Sequence, residues 1–153
     1  YFKKIQFIFT CPNNDPGGLE ILKIMKNFIK NKKNCFFYKS LGQELFFSCI
    51  KYSNGIIGNS SSGILEIPYL KKATINIGIR QKGRLFKKSV INSKAKKSEI
   101  IKSINYIFNP NYNKILIKNN IKKKDTSAKI SNIIVNYLKN KKTNKIFFDL
   151  KKY

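Results

Sequence analysis

The chain has no histidine and no tryptophan, a single methionine and only 7 acidic residues in 153. Its three cysteines, Cys11, Cys35 and Cys49, are odd in number, widely spaced and set in apolar runs. With no CxxC pair and no histidine, the donor set of a zinc site is missing, and no metal is expected. The cysteines read instead as core thiols of a protein in a reducing cytosol. No apolar run approaches the ~20 residues that a membrane-spanning helix needs, and no signal peptide is visible, so a cytoplasmic protein without a membrane partner is expected. The first residue is Tyr1, not Met, and the chain runs at once into KKIQFIF, which reads as a piece of a longer product.

Positive charge is what the chain has in excess. Lys and Arg number 32 against 7 acids, a formal charge of +25. Such a balance suits an anionic partner, whether nucleic acid, phosphate or a membrane surface. The lysines, however, are scattered through every segment and accompany abundant Asn, Ile, Phe and Tyr, as a coding sequence poor in G and C produces. They gather on no one stripe and no nucleic-acid-binding motif is present, so no specific nucleic-acid partner is expected. The length suits one domain, 1–153, with 141–153 as a basic tail.

Short apolar runs at 5–9, 35–38, 55–58 and 73–77 are partly β-branched and bounded by turn residues, which suits strands buried on both faces. Between them lie helical spacings, with Leu22, Met25, Phe28 and Ile29 on one stripe and Leu45, Cys49 and Ile50 on another. Asp15 and Pro16 read as the N-cap and first residue of the earlier helix. Strand and helix alternate to about residue 80, which predicts an α/β fold: a Rossmann-like parallel sheet flanked by helices. Two covering helices follow, one at 98–108 that stops at Asn109-Pro110 and one at 126–140.

In an open parallel sheet, ligands sit where strand ends run into helix starts. Asn59 to Gly63 offers small side chains, free N–H groups and three serines at such a point, the chemistry of a phosphate cradle. Glu66 follows Ser62 by four residues and so lies one helical turn deeper, placed to accept hydrogen bonds from a ribose diol. Plain helix capping by the serines is the competing reading, worth ~1 kcal/mol. A capping box wants Glu three residues after Ser, where Leu65 stands, so that reading fits less well. Arg80 and Arg84 follow the fourth strand, and forked guanidinium groups suit a diphosphate. Asn13, in the turn after the first strand, could reach a nucleotide across the sheet edge, although turn and cap chemistry explains Pro12 to Gly18 without any ligand.

Together FTCPNNDPGG (9–18), KSLGQEL (39–45), IGNSSSGILEIP (57–68) and TINIGIRQKGR (74–84) occur in the order and spacing of one family. The chain resembles the C-terminal half of the hydrolysing UDP-N-acetylglucosamine 2-epimerases. The resemblance implies the C-terminal domain of a two-domain, glycosyltransferase-B-like fold that binds the UDP of a sugar nucleotide. It implies UDP contacts from Asn13, from Leu41 near the uracil, from Ser60 and Ser61 at the phosphates, from Glu66 at the ribose and from Arg80. It further implies no cofactor, proton-transfer carboxylates in the N-terminal half of the same enzyme, and a homo-oligomer. The local departure is Ile79, where the family commonly has Asp or Thr. Two other readings compete: the same fold acting on a UDP-2,4-diacetamido-trideoxy sugar, and a basic nucleic-acid-binding domain.

Overall fold

In the computed structural model, which describes residues 2–118 and 125–140, the apolar runs become strands. The elements in order are β1 (Phe7–Thr10), α1 (Gly18–Ile29), β2 (Cys35–Tyr38), α2 (Gly42–Tyr52), β3 (Gly55–Gly58) and α3 (Ser62–Leu65). A 3₁₀ turn (Ile67–Leu70) follows, then β4 (Ala73–Ile77), β5 (Val90–Ser93), α4 (Lys97–Ile107), α5 (Pro110–Lys118) and α6 (Thr126–Asn140). The lysine run at 122–124 and the tail expected at 141–153 lie outside the described residues. The chain divides into two units, Tyr1–Asn119 and Asn120–Tyr153, and α6 belongs to the second.

Among the described residues every strand pairing is parallel. β1 pairs with β2, Phe7 opposite Cys35, and β4 lies between β3 and β5, with Ile75 opposite both Ile57 and Ile91. Parallel pairing forces each connection to cross back over the sheet, so within each sheet the strands end on the same edge. The α/β class with parallel sheets flanked by helices is therefore as the alternation in the sequence indicates.

The expectation that all four strands are buried on both faces holds only for β4, whose Ala73 to Asn76 are buried. In β1 and β2 half-buried and exposed residues alternate: Phe7, Phe9, Cys35 and Phe37 face inward, whereas Ile8, Thr10, Phe36 and Tyr38 are exposed. The inward face carries α1, through the edge contact of Phe9 with Phe28. The core gathers instead around β4, where Ala73 and Ile75 pack with Ile104, Ile107 and Tyr112.

Several local expectations need correction. Asp15 does not cap α1: the helix begins at Gly18, capped by Gly17 at φ +86, a conformation that glycine alone adopts cheaply. The inward stripe of α1 is Leu22, Met25 and Ile29, with Phe28 half exposed, and in α2 it is Phe46, Phe47, Cys49 and Ile50, with Leu45 turned outward. All three cysteines are free but only half-buried, not core thiols. Pro110 ends α4 and also opens α5, with the Asn109 side chain accepting from the Asn111 N–H at 2.9 Å. β5 escaped the sequence reading because VINS mixes polar and apolar residues, and Asn92 reaches Asn76 of β4, whose Nδ2 donates to it at 2.8 Å. In α6 the apolar stripe of Ile130, Ile133, Ile134 and Leu138 is exposed.

Candidate functional site

The loops that follow β1, β3 and β4 are tied together by two side-chain contacts. Arg80, just after β4, forms a 3.0 Å ion pair with Asp15 in the loop after β1, the loop that also carries Asn13. Next to it, Gln81 Nε2 donates to the Asn59 carbonyl at 2.7 Å, at the start of the serine turn that follows β3. The neighbourhoods of Asn13, Ser60, Ser61 and Arg80 are thereby joined by bonds across 65 and 22 residues of sequence.

The serines do not cap α3. Ser61 occupies the N-cap position with no side-chain capping bond, and Ser60 Oγ accepts from the Ser62 N–H at a long 3.4 Å. Among the described residues the Ser61 and Ser62 hydroxyls make no hydrogen bond, so the fold leaves them available. The α3 helix is one turn long, however, so the helix dipole expected behind the cradle is slight and the donors here are the hydroxyls and turn amides. Gly63 lets this turn lie on β4: Thr74 Oγ1 donates to the Gly63 carbonyl at 2.6 Å, and a Cβ at Gly63 would come within 2.8 Å of Thr74 Cγ2.

Glu66 keeps the four-residue relation to Ser62 through its N–H, which donates to the Ser62 carbonyl at 2.9 Å. Its side chain is exposed, and among the described residues no contact joins it to Arg80 or Asn13. Leu41 lines a shallow pocket of about 240 Å³ with Thr10 and Cys11 from the end of β1, and with Lys39, Ser40, Gly42 and Phe46. That pocket includes none of the serines at 60–62. Ile79 is exposed, and the turn behind it is a backbone one, Lys82 N–H to the Ile79 carbonyl at 2.9 Å, so the unusual residue does not set the loop. In the sequence Asp15 has the signature of a helix cap, and nothing local marks Gln81. The signal that was available for Asp15 is its place at the carboxyl end of a parallel strand.

The arrangement offers hydroxyls, amides and a guanidinium to an anion, and the pocket at Leu41 is partly apolar. Among the described residues no cluster of cysteine and acidic side chains is suited to hold a metal ion, and no described helix is long and apolar enough to cross a membrane.

The sequence profile of the UDP-N-acetylglucosamine 2-epimerase family matches residues 1–135. The chain belongs to this family. Among its relatives, the polysialic acid biosynthesis protein P7 of Escherichia coli is 46% identical over 106 residues, 69% of this chain and 27% of that protein. The GDP/UDP-N,N'-diacetylbacillosamine 2-epimerase (hydrolyzing) of Campylobacter jejuni is 44% identical over 92 residues, 60% of this chain and 24% of that protein. The UDP-N-acetylglucosamine 2-epimerase of Neisseria meningitidis is 32% identical over 109 residues, 68% of this chain and 28% of that protein. The epimerase-family chain thus spans about a quarter of the length of the relatives it matches.

Proposed function

We propose that this chain is the UDP-binding part of a hydrolysing UDP-N-acetylglucosamine 2-epimerase, which converts UDP-N-acetylglucosamine to N-acetylmannosamine and UDP for sialic acid synthesis. The observation that carries the reading is the joining of the loops after β1, β3 and β4 by the Arg80–Asp15 and Gln81–Asn59 contacts. Ser60 and Ser61 bind the diphosphate with Arg80, Glu66 takes the ribose, Leu41 lies against the uracil, and Asn13 closes the site from the first loop. When the bond between sugar and UDP breaks, negative charge grows on the departing diphosphate, and fixed hydroxyl, N–H and guanidinium donors stabilise it there without reorganising. Proton transfer belongs to carboxylates in an N-terminal half of the enzyme. The chain, one UDP-binding domain over 1–153, is inactive without that half and works in a cytoplasmic homo-oligomer.

A second reading keeps the fold and site but takes a UDP-2,4-diacetamido-trideoxy sugar, and the similarity to the Campylobacter jejuni protein favours it. Product analysis on the full-length enzyme with both UDP-sugars separates the two. The shared claim is tested by titrating this chain with UDP in a calorimeter and repeating with Ser61→Ala and Glu66→Gln. Each change is expected to weaken binding by about tenfold, the loss of one good hydrogen bond; affinity indifferent to both refutes the site.

A further inference from the structure

Gln81 lies in a segment, Ile79 to Lys88, whose other residues are all exposed, yet it is itself 4% exposed. Its Nε2 donates to the Asn59 carbonyl at 2.7 Å. Its Oε1 is buried with no hydrogen-bond partner. A buried carboxamide that is bonded at one end and orphaned at the other gains about as much from the bond as it loses on the bare acceptor. Gln81 therefore adds little net stability, and Leu fills a similar volume without the orphaned oxygen. What the carboxamide alone supplies is a directional grip on the carbonyl at the foot of the Ser60–Ser62 turn. Buried groups left unsatisfied in this way call for a reason other than folding.

We infer that Gln81 is a positioning residue: it holds the serine turn in register with its own neighbour Arg80, so that the hydroxyls and the guanidinium meet one diphosphate. The diphosphate rests on the UDP reading above; the coupling of the two loops does not. Because Arg80 and Gln81 are adjacent, any shift of the turn relative to β4 changes the spacing between guanidinium and hydroxyls. Asp15 holds the guanidinium from the other side, but both partners of that pair are exposed, and such pairs fix geometry weakly.

The test uses the 153-residue chain with Gln81→Leu, which removes the grip, and Gln81→Glu, which keeps the shape and sets an acceptor against the Asn59 carbonyl. Without ligand, the amide resonances of 59–63 are expected to shift and broaden in both variants while those of β4 stay in place. The melting temperature is expected to stay within about 2 °C in Gln81→Leu and to fall in Gln81→Glu, whose buried carboxylate faces a carbonyl oxygen. With UDP, affinity is expected to fall about tenfold in Gln81→Leu, and adding Ser61→Ala is expected to cost little more, whereas adding Leu41→Ala multiplies the loss. Unmoved turn resonances, losses that multiply with Ser61→Ala, or a melting temperature lowered by more than about 2 °C in Gln81→Leu overturn the inference. A native chain that ignores UDP while the turn resonances still move in both variants refutes the UDP reading and upholds the coupling.

Discussion

The guanidinium of Arg80 reaches back to the loop after β1, its Nη2 3.0 Å from Asp15 Oδ2. Both side chains are about half exposed, so the pair is worth at most about 1 kcal/mol to the fold. Its larger effect is to occupy the arginine that the proposed diphosphate needs. Asp15→Asn is therefore expected to leave the melting temperature within about 2 °C of native and to tighten UDP binding about two- to fivefold at low salt. The gain should shrink as salt rises toward 0.5 M, because screening weakens the competing carboxylate as well. Calorimetric titrations at two ionic strengths check it; weaker binding in the variant would mean that Asp15 orients Arg80 rather than competes for it.

The serine turn rests on β4 at Gly63. A Cβ there meets Thr74 Cγ2 at 2.8 Å, closer than packed carbon atoms tolerate, and both residues are buried. Gly63→Ala is expected to destabilise the chain by about 1–3 kcal/mol through overpacking. Thr74→Ser removes that methyl group and keeps the hydroxyl that donates to the Gly63 carbonyl. The double variant should recover most of the loss, a non-additive result that urea denaturation of all four proteins would display. Equal losses with threonine or serine at 74 would locate the strain elsewhere.

The loops of the candidate site were legible from sequence where residue type and strand-end position coincide. GNSSSG and GIRQKGR follow strands that the apolar runs mark plainly, and the structure joins their loops through Gln81 and Asn59. What could not be read is contact between distant side chains: Asp15 has the local signature of a helix cap, and only its distance to Arg80 shows that the carboxylate is engaged elsewhere. The core was legible in β4 and α4, where Ile104 and Ile107 are buried as their spacing implies. It was not in β5, where Asn92 and Ser93 are polar and strand pairing with β4 outweighs local propensity. Pro110 misled because proline ends one helix and begins another by the same missing N–H.

The charge of +25 makes a separate prediction. Cations scattered over the surface attract any polyanion at low salt, but they release counterions from DNA without a fixed register. The chain is expected to bind duplex DNA regardless of sequence at 20 mM salt and to lose that binding by about 0.15 M. On the proposed reading, in which directed donors hold UDP, the nucleotide should remain bound at 0.15 M. Fluorescence anisotropy with two unrelated duplexes, read beside a UDP titration, separates the cases. DNA affinity that survives physiological salt and favours one sequence would revive the nucleic-acid reading.

Tyr112 ties α5 to the strand layer and gives the fold a pH limit. Its ring is 1% exposed and its hydroxyl donates to the Ser89 carbonyl at 2.7 Å, an oxygen that also accepts from the Thr74 N–H at 3.0 Å. Burial first, and neighbouring Tyr106 second, push its pKa from 10.0 up to about 12. Below pH 10 both folded and unfolded chains hold the proton and the contribution to stability is complete. Between pH 10 and 12 the unfolded chain gives the proton up while the folded chain keeps it, so stability falls as pH rises. At about 1.4 kcal/mol per pH unit the loss approaches 2–3 kcal/mol across the window. Tyr112→Phe lacks the hydroxyl and should start about 0.5–1.5 kcal/mol less stable at pH 7, since the Ser89 carbonyl keeps its other donor. The gap between the two proteins is then expected to narrow above pH 10 and change sign near pH 11, as urea midpoints at pH 7, 10 and 11.5 would record. A gap that stays constant would mean that Tyr112 ionises as readily in the folded chain as in the unfolded one.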